Sequence, residues 1–471
     1  MSNLKQIGYF AVAVLSVKGL GFLLLPISTR FLSQVEFGQL NFLVTVSALC
    51  SLILSIGLPE LLLKQQYNTH TEKLALFRDA VITTFIFSLL FAGCSLIFSE
   101  QIAHQLPAKV DPLDLRLLIV NLVLSALIGI PYIYYRLTNN ARTYCYLCIS
   151  HALVQTTLTI TLLFLGFSIT GVMVSGAVSS LLIVCISYFD ILKVINVSYS
   201  EFSWRIQGKQ TVFIISIVIS SLFIYAGNGA ENWFIVANFD ETLLANYYVA
   251  AQFAVLTSFT FEPIRLWWFA KRFSLVKNNK SEYESKAILC LNVGLALCVV
   301  MSVLAPITLN LVLPDNYHGN EHWLVLLIVV VAIRHHSDIL NIGCYTHKNG
   351  ISVPIINLLT ALVGLSLLYL LVPMFAVEGA ILSLIIMQSF KLLCFYLTSQ
   401  QFVPLTFKLS SLAPSWLALL IIAGISFMPG NLILQLGVLL TYIFVFINQY
   451  KSIILRVIKK TVEERKYAQL L

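Results

Sequence analysis

Apolar runs long enough to cross a bilayer recur from one end of this chain to the other, with short polar links between them. A membrane-spanning helix takes about 20 residues, and in lipid only helices and closed barrels satisfy every backbone polar group. Unbroken runs exclude a barrel, whose strands alternate apolar and polar positions. Of the 471 residues, 59% are hydrophobic and 11% charged, against about a quarter charged in soluble domains. The chain is read as an all-α polytopic membrane protein of about fourteen transmembrane helices. Its spans are predicted near 7–31, 40–63, 80–99, 113–135, 144–167, 171–192, 211–236, 244–270, 287–313, 322–346, 351–373, 377–399, 411–428 and 431–450. The first run follows Lys5 and continues past any cleavage point, which predicts an uncleaved span.

A net charge of +8 would suggest a nucleic-acid partner in a soluble protein. Here it follows the positive-inside rule instead, and no nucleic acid is expected. With the N-terminus in the cytoplasm, 22 of the 29 Lys and Arg fall in cytoplasmic loops, tails or their edges. That set includes Arg78, Arg136, Arg142 and Arg272; Lys109 and Arg116 lie opposite, with Arg30 at that border. The skew predicts both termini in the cytoplasm and an even number of spans. The tail from Lys451 onward reads as a basic amphipathic helix that contacts anionic lipid. All nine cysteines sit in or beside apolar runs, so no disulfide framework is expected, and Cys145 with Cys148 reads as core packing rather than a metal or redox pair.

Two stretches resemble each other. FLSQVEFGQLNFLVTVSALCSLILSIGLPE follows the first span, and VANFDETLLANYYVAAQFAVLTSFTFEP follows the seventh. Each opens on an acidic turn, passes a small residue (Gly38, Ala245) and ends on a Pro and Glu pair. The spacing predicts two pseudo-symmetric six-helix lobes, 1–193 and 211–400, related by an axis along the membrane normal. A cytoplasmic linker, 194–210, joins them; two extra helices, 401–450, and a basic tail, 451–471, follow.

Charges inside spans are costly, about 2.5–3.5 kcal/mol each at the bilayer centre on insertion scales, so they mark wet interiors or partners. Lys18 sits mid-span and is read as cavity-lining. Arg30 is read as cavity-lining or snorkelling to the border. Glu60 and Lys64, four residues apart, share a face, either as a helix-end ion pair or in a substrate or proton role. Arg136 flanks the cytoplasmic mouth, where an anionic substrate would first arrive. Glu231 lies in GNGAENWF, whose glycines and asparagines loosen the seventh span. Arg265 shares a face with Glu262 beside Pro263, with Trp267 and Trp268 available for ring stacking or interface anchoring. The tenth span carries Arg334, His335, His336, Asp338 and Asn341; Arg334 can pair with Asp338, Asn341 shares that face, and a His beside a carboxylate suits a proton relay. Lys391 and Glu378 read as snorkelling residues.

A first span ending LLLPISTRFLS, then VEFGQL, then a second span ending GLPELLLK resembles the polysaccharide transporter family. These are the Wzx-type O-antigen and exopolysaccharide flippases of the multidrug/oligosaccharidyl-lipid/polysaccharide (MOP) exporter superfamily. The specific resemblance covers about the first 80 residues; the remainder matches in architecture. It implies two lobes around a central cationic cavity of alternating access in the bacterial inner membrane. The implied substrate is an undecaprenyl-pyrophosphate-linked oligosaccharide, moved from the cytoplasmic to the periplasmic leaflet. In that frame Lys18, Arg30, Arg136, Arg265 and Arg334 would bind the phosphates. Trp267 and Asn341 would contact sugar, and Glu60, Glu231, His335 and Asp338 are candidates for H+ or Na+ coupling. Relatives often carry a basic or acidic–basic pair where this chain has only Glu231. A monomer is expected, with membrane lipids around it and the polysaccharide polymerase machinery as a candidate partner.

No catalytic motif, metal-ligand set, cofactor motif or P-loop stands in the sequence, so an enzyme is not expected. Three alternatives stay open. A lipid II flippase shares the cationic logic. A multidrug exporter of the same superfamily would handle organic cations. A membrane-embedded polysaccharide polymerase or glycosyltransferase would need a larger non-cytoplasmic loop.

Overall fold

A computed structural model describes residues 3–64, 70–195, 208–346, 351–428, 430 and 432–470. Among them the structure is helical, with no strand. In chain order the helices are α1 (Asn3–Phe31), α2 (Gln34–Leu54), α3 (Leu58–Lys64), α4 (His70–Ile97), α5 (Ser99–Gln105), α6 (Pro112–Leu137), α7 (Ala141–Phe164), α8 (Ser168–Ile195) and α9 (Lys209–Ala226). They continue with α10 (Glu231–Asn238), α11 (Glu241–Thr260), α12 (Glu262–Asn278), α13 (Lys280–Val312), α14 (Glu321–Leu340), α15 (Ile342–Thr346), α16 (Ser352–Phe402), α17 (Ala413–Ile425) and α18 (Leu432–Leu470).

Local chemistry sets the helix starts. Ser33 and Glu36 form a reciprocal capping box at α2. Asp111 caps α6 with Pro112 behind it, where the missing N–H costs nothing. Asn279 caps α13 through the Glu282 N–H.

By length and apolarity, ten described helices qualify as spans, or eleven if the bent pair α9–α10 counts as one. The expected fourteen is not reached on that measure, for three reasons. α16 runs 51 residues through the expected eleventh and twelfth spans, interrupted only at Ala376, where φ is 48°. The expected eighth span is divided between α11, diluted by Asn246, Tyr247, Tyr248 and Gln252, and α12, which restarts at Pro263. α17 has 13 residues. The expected second span also breaks, because Ile56 and Gly57 take φ of 50° and 61° between α2 and α3.

The chain forms two compact units: Met1–Val249 with Asn357–Ala380, and Ala250–Ile356 with Ile381–Leu471. Most of the expected 194–210 linker lies outside the described residues. In unit 1, α1 packs on α7, and α6 packs on α4 and α8. Leu58, Leu62, Phe77, Ile130, Ile183 and Ile191 belong to one buried apolar cluster there. Small and polar residues let helices approach: Asn121 on α6 donates to the Met173 carbonyl of α8 beside Gly176. In unit 2, α13 packs against α12, α14 and α17 and buries Leu291, Leu295 and Val299. Cys145 and Cys148 are buried free thiols packed with Ala13.

Candidate functional site

The charged and polar residues gather in three places. The first is in unit 1, where Lys18 lines a cavity of about 340 Å³ with Tyr132, Tyr144, His151 and Gln155. α1 supplies the lysine; α6 and α7 supply the aromatic and polar wall. Arg136, exposed in the last turn of α6, acts electrostatically on Tyr144. Aromatic faces beside a cation and hydrogen-bonding side chains suit a sugar ring near an anionic group. Tyr132, Tyr144, His151 and Gln155 were not singled out by sequence. The signal that could have found the last three is polar and aromatic residues at three- and four-residue spacing along 144–155. Arg30 is exposed in the last turn of α1, where a cation complements the helix dipole.

The second place is the break between α9 and α10, bent by 52°. Glu231 is buried in the first turn of α10 and accepts from Tyr247 Oη at 3.2 Å. Beside it Asn232 donates to Thr45 Oγ1 of α2 at 2.9 Å, while Trp233 Nε1 donates to Tyr225 Oη. The loosening anticipated from GNGAEN is therefore a helix break with a buried carboxylate at its lip. Glu60, by contrast, is exposed on α3 and forms no ion pair with Lys64, whose ammonium lies 3.8 Å over the Phe213 ring.

The third place, in unit 2, is the densest. Arg265 on α12 bonds Glu262 at 2.9 Å and faces Asp338 of α14 at 3.6 Å. About two turns further along α12, Arg272 is buried; it donates to Asn341 Oδ1 at 3.0 Å and to the Asp338 carbonyl at 3.4 Å. Its guanidinium is flanked by Phe269, Phe273 and Tyr345 at 4.3–5.1 Å. Arg265, Lys391, Arg272 and Arg334 all act electrostatically on Asp338. Asp338 keeps two-fifths of its side-chain surface open and Arg265 about a third, so neither is sealed in the protein core.

Asp338 pairs with Arg265 of α12 rather than, as expected, with Arg334, which acts on it only electrostatically, as does Lys391 of α16. Asn341 is buried with its oxygen taken by Arg272, which makes it a strut for that arginine. His335 and His336 are buried: His335 lies 3.1 Å from the Cys290 carbonyl, in space that Gly294 leaves open, and His336 stacks near Trp416. Trp268 is core, stacked on Tyr283, whereas Trp267 is exposed with the Lys286 ammonium 5.9 Å from its ring.

Three residues are corrected. Arg272 was counted as a loop charge and is buried in the cluster. Lys391 was read as snorkelling, and it acts on Asp338. Arg78, also counted as a loop charge, is buried in unit 1 beside Asp79 at 3.5 Å. Arg272→Lys is expected to lower the thermal midpoint of the detergent-solubilised protein. A lysine loses the flat guanidinium that stacks between rings while reaching Asn341, at a cost of about 1–2 kcal/mol. An unchanged midpoint would show the aromatic cage to be inert.

Stacked apolar helices with cations and hydrogen-bonding groups inside define a polytopic membrane protein built like the flippases and drug exporters. Among solved structures the chain is similar to "Lipid II flippase MurJ, inward closed conformation", with a TM-score of 0.68 and 14% identity over 94% of this chain and 99% of that one. It is also similar to an inward-facing multidrug resistance MATE family transporter of the MOP superfamily, with a TM-score of 0.59 and 13% identity over 84% of this chain and 97% of that one. MATE in complex with MaD3S gives a TM-score of 0.57 at 13% identity, over 83% and 93%. At such identities the likeness establishes the fold. No curated protein sequence matches the chain. Residues 27–319 match the family model described as polysaccharide biosynthesis protein, and the chain belongs to that family.

Proposed function

We propose that the protein is a flippase for an undecaprenyl-pyrophosphate-linked oligosaccharide, an O-antigen or exopolysaccharide repeat unit. It carries that unit from the cytoplasmic to the periplasmic leaflet of the bacterial inner membrane by alternating access, with both termini cytoplasmic. The observation that carries this reading is the unit 2 cluster, where cations outnumber carboxylates within a membrane protein. A sugar pyrophosphate needs cations for its phosphates and polar and aromatic groups for its rings, while its prenyl tail stays in lipid. The Lys18 cavity offers the second set of groups. Organic cations, the cargo of drug exporters, would be repelled by the same cluster. Ion coupling through Glu231, with H+ or Na+ as the ion, belongs to the proposal, as do a monomeric state and non-enzymatic transport. The lipid II flippase is the second reading, favoured by the fold likeness over nearly the whole chain.

The test is deletion of the gene in its host with extraction of undecaprenyl-linked intermediates. The expected result is build-up of a complete oligosaccharide unit on the cytoplasmic side and loss of surface polysaccharide. Accumulated lipid II would favour the second reading. A single unpolymerised unit at the surface would indicate a polymerase. Unchanged intermediates and surface glycan would overturn the flippase.

A further inference from the structure

We propose that Asp338 is a resident stand-in for phosphate: its carboxylate seats the unit 2 cations until a phosphate group of the substrate displaces it. The identity of the arriving anion rests on the flippase reading; the displacement does not. Two carboxylates serve the cluster, and they are held differently. Glu262 is on the same helix as Arg265, three residues away, and bonds it at 2.9 Å. Asp338 approaches from another helix, and its contact to Arg265 is 3.6 Å, longer than a hydrogen bond. Glu262 therefore orients the guanidinium, and Asp338 neutralises it without locking it. Arg272, which also donates to the Asp338 main-chain carbonyl, Arg334 and Lys391 act electrostatically on the same carboxylate.

Charge and shape agree with exchange. Carboxylate and phosphate present paired oxygens to a guanidinium in the same way. Two-fifths of the Asp338 side chain is open, so protein packing does not hold the carboxylate in place. Such a counter-ion keeps the cations from repelling one another between transport cycles. It also weakens apparent affinity for the arriving anion, because only the fraction of protein with an open seat is competent to bind.

The experiment uses the full chain in detergent with inorganic pyrophosphate as probe, read by calorimetry. Asp338→Asn is expected to bind pyrophosphate about tenfold more tightly than the parent, since the competing occupant is gone. Asp338→Glu is expected to restore the weaker binding. Glu262→Gln removes the same charge but also the orienting bond, and no tightening is expected. Equal tightening by Asp338→Asn and Glu262→Gln would mean that net charge alone matters and would overturn the proposal, as would no tightening by Asp338→Asn.

A second measurement needs no variant. Pyrophosphate should speed modification of Asp338 by a water-soluble carbodiimide several-fold, because the displaced carboxylate faces solvent. Unchanged or slower labelling would overturn the proposal. Tighter binding by Asp338→Asn together with normal surface polysaccharide in the deletion host would sink the flippase reading and keep the stand-in. Lost surface polysaccharide with no tightening would do the reverse.

Discussion

Arg265→Gln should reduce surface polysaccharide at least tenfold in a complementation assay, in protein that still inserts. The expectation follows from what the side chain does. Arg265 is the one cation with described ion pairs to both carboxylates of the cluster, Glu262 and Asp338. A charge-assisted bond to an anion is worth about 1.5–3 kcal/mol, and 1.4 kcal/mol is tenfold in binding. Partial exposure reduces the cost to folding, because solvent screens the two acids left behind. The loss should therefore appear in transport more than in stability. Arg265→Lys keeps the charge and loses the fork, so an intermediate phenotype is expected. A role limited to neutralising the acids makes a different prediction. In that case the triple variant Glu262→Gln, Arg265→Gln, Asp338→Asn would export normally. We expect it not to, because phosphate would have lost its guanidinium.

The largest effect on folding is expected at Gly38. A Cβ added there would lie 1.9 Å from the carbonyl oxygen of Glu241 and 2.5 Å from its carbon. The obstacle is backbone, which cannot rotate aside. The start of α2 and the start of α11 are also tied by several bonds within unit 1. Gln34 reaches Asn246 at 3.4 Å, Phe37 meets the Tyr248 ring edge-on, and Glu241 accepts from the Lys109 N–H at 2.8 Å. Gln39 donates to the Lys109 carbonyl at 2.7 Å, and Glu36 accepts from Ser168 at 2.6 Å. Pushing the two backbones apart by over 1 Å would break this set together. Gly38→Val should cost about 3 kcal/mol or more, read as a lowered thermal midpoint in detergent. Gly38→Ala should already show much of the loss. Gly129→Ala on α6 is the control: nothing lies within 4 Å of an added Cβ there, and alanine favours a helix interior. Equal behaviour of the two alanine variants would refute the close approach.

How much of this was legible in sequence depended on whether the signal was local. Helices follow from unbroken apolar runs, and the break before Glu231 follows from GNGAEN. The restart at Pro263 follows from proline's missing N–H. The break at Ile56 and Gly57 was not legible, because IGL reads as continuous apolar sequence and the left-handed backbone leaves no mark on hydropathy. Arg272 was missed because the end of an apolar run is where loop charges are expected, and Lys391 because a lysine towards the end of a span is expected to snorkel. Only the approach of α12, α14 and α16 turns them inward. The paired segments after the first and seventh spans were noticed for their pattern. That Gly38 of one lies against Glu241 of the other is a tertiary fact.

The place of α1 bears on how the protein is made. Its neighbour is α7, and the wall that shelters Lys18 comes from α6 and α7. The ribosome delivers α1 first, and α2 to α7 must all emerge before that shelter is complete. Until then Lys18 stands at mid-depth against lipid, a position that costs about 2.5–3.5 kcal/mol. The apolar remainder of α1 must hold it in the bilayer through that interval. Biogenesis, as well as transport, therefore limits how polar the first helix can become, and a second charge on it would burden synthesis before it altered any cargo.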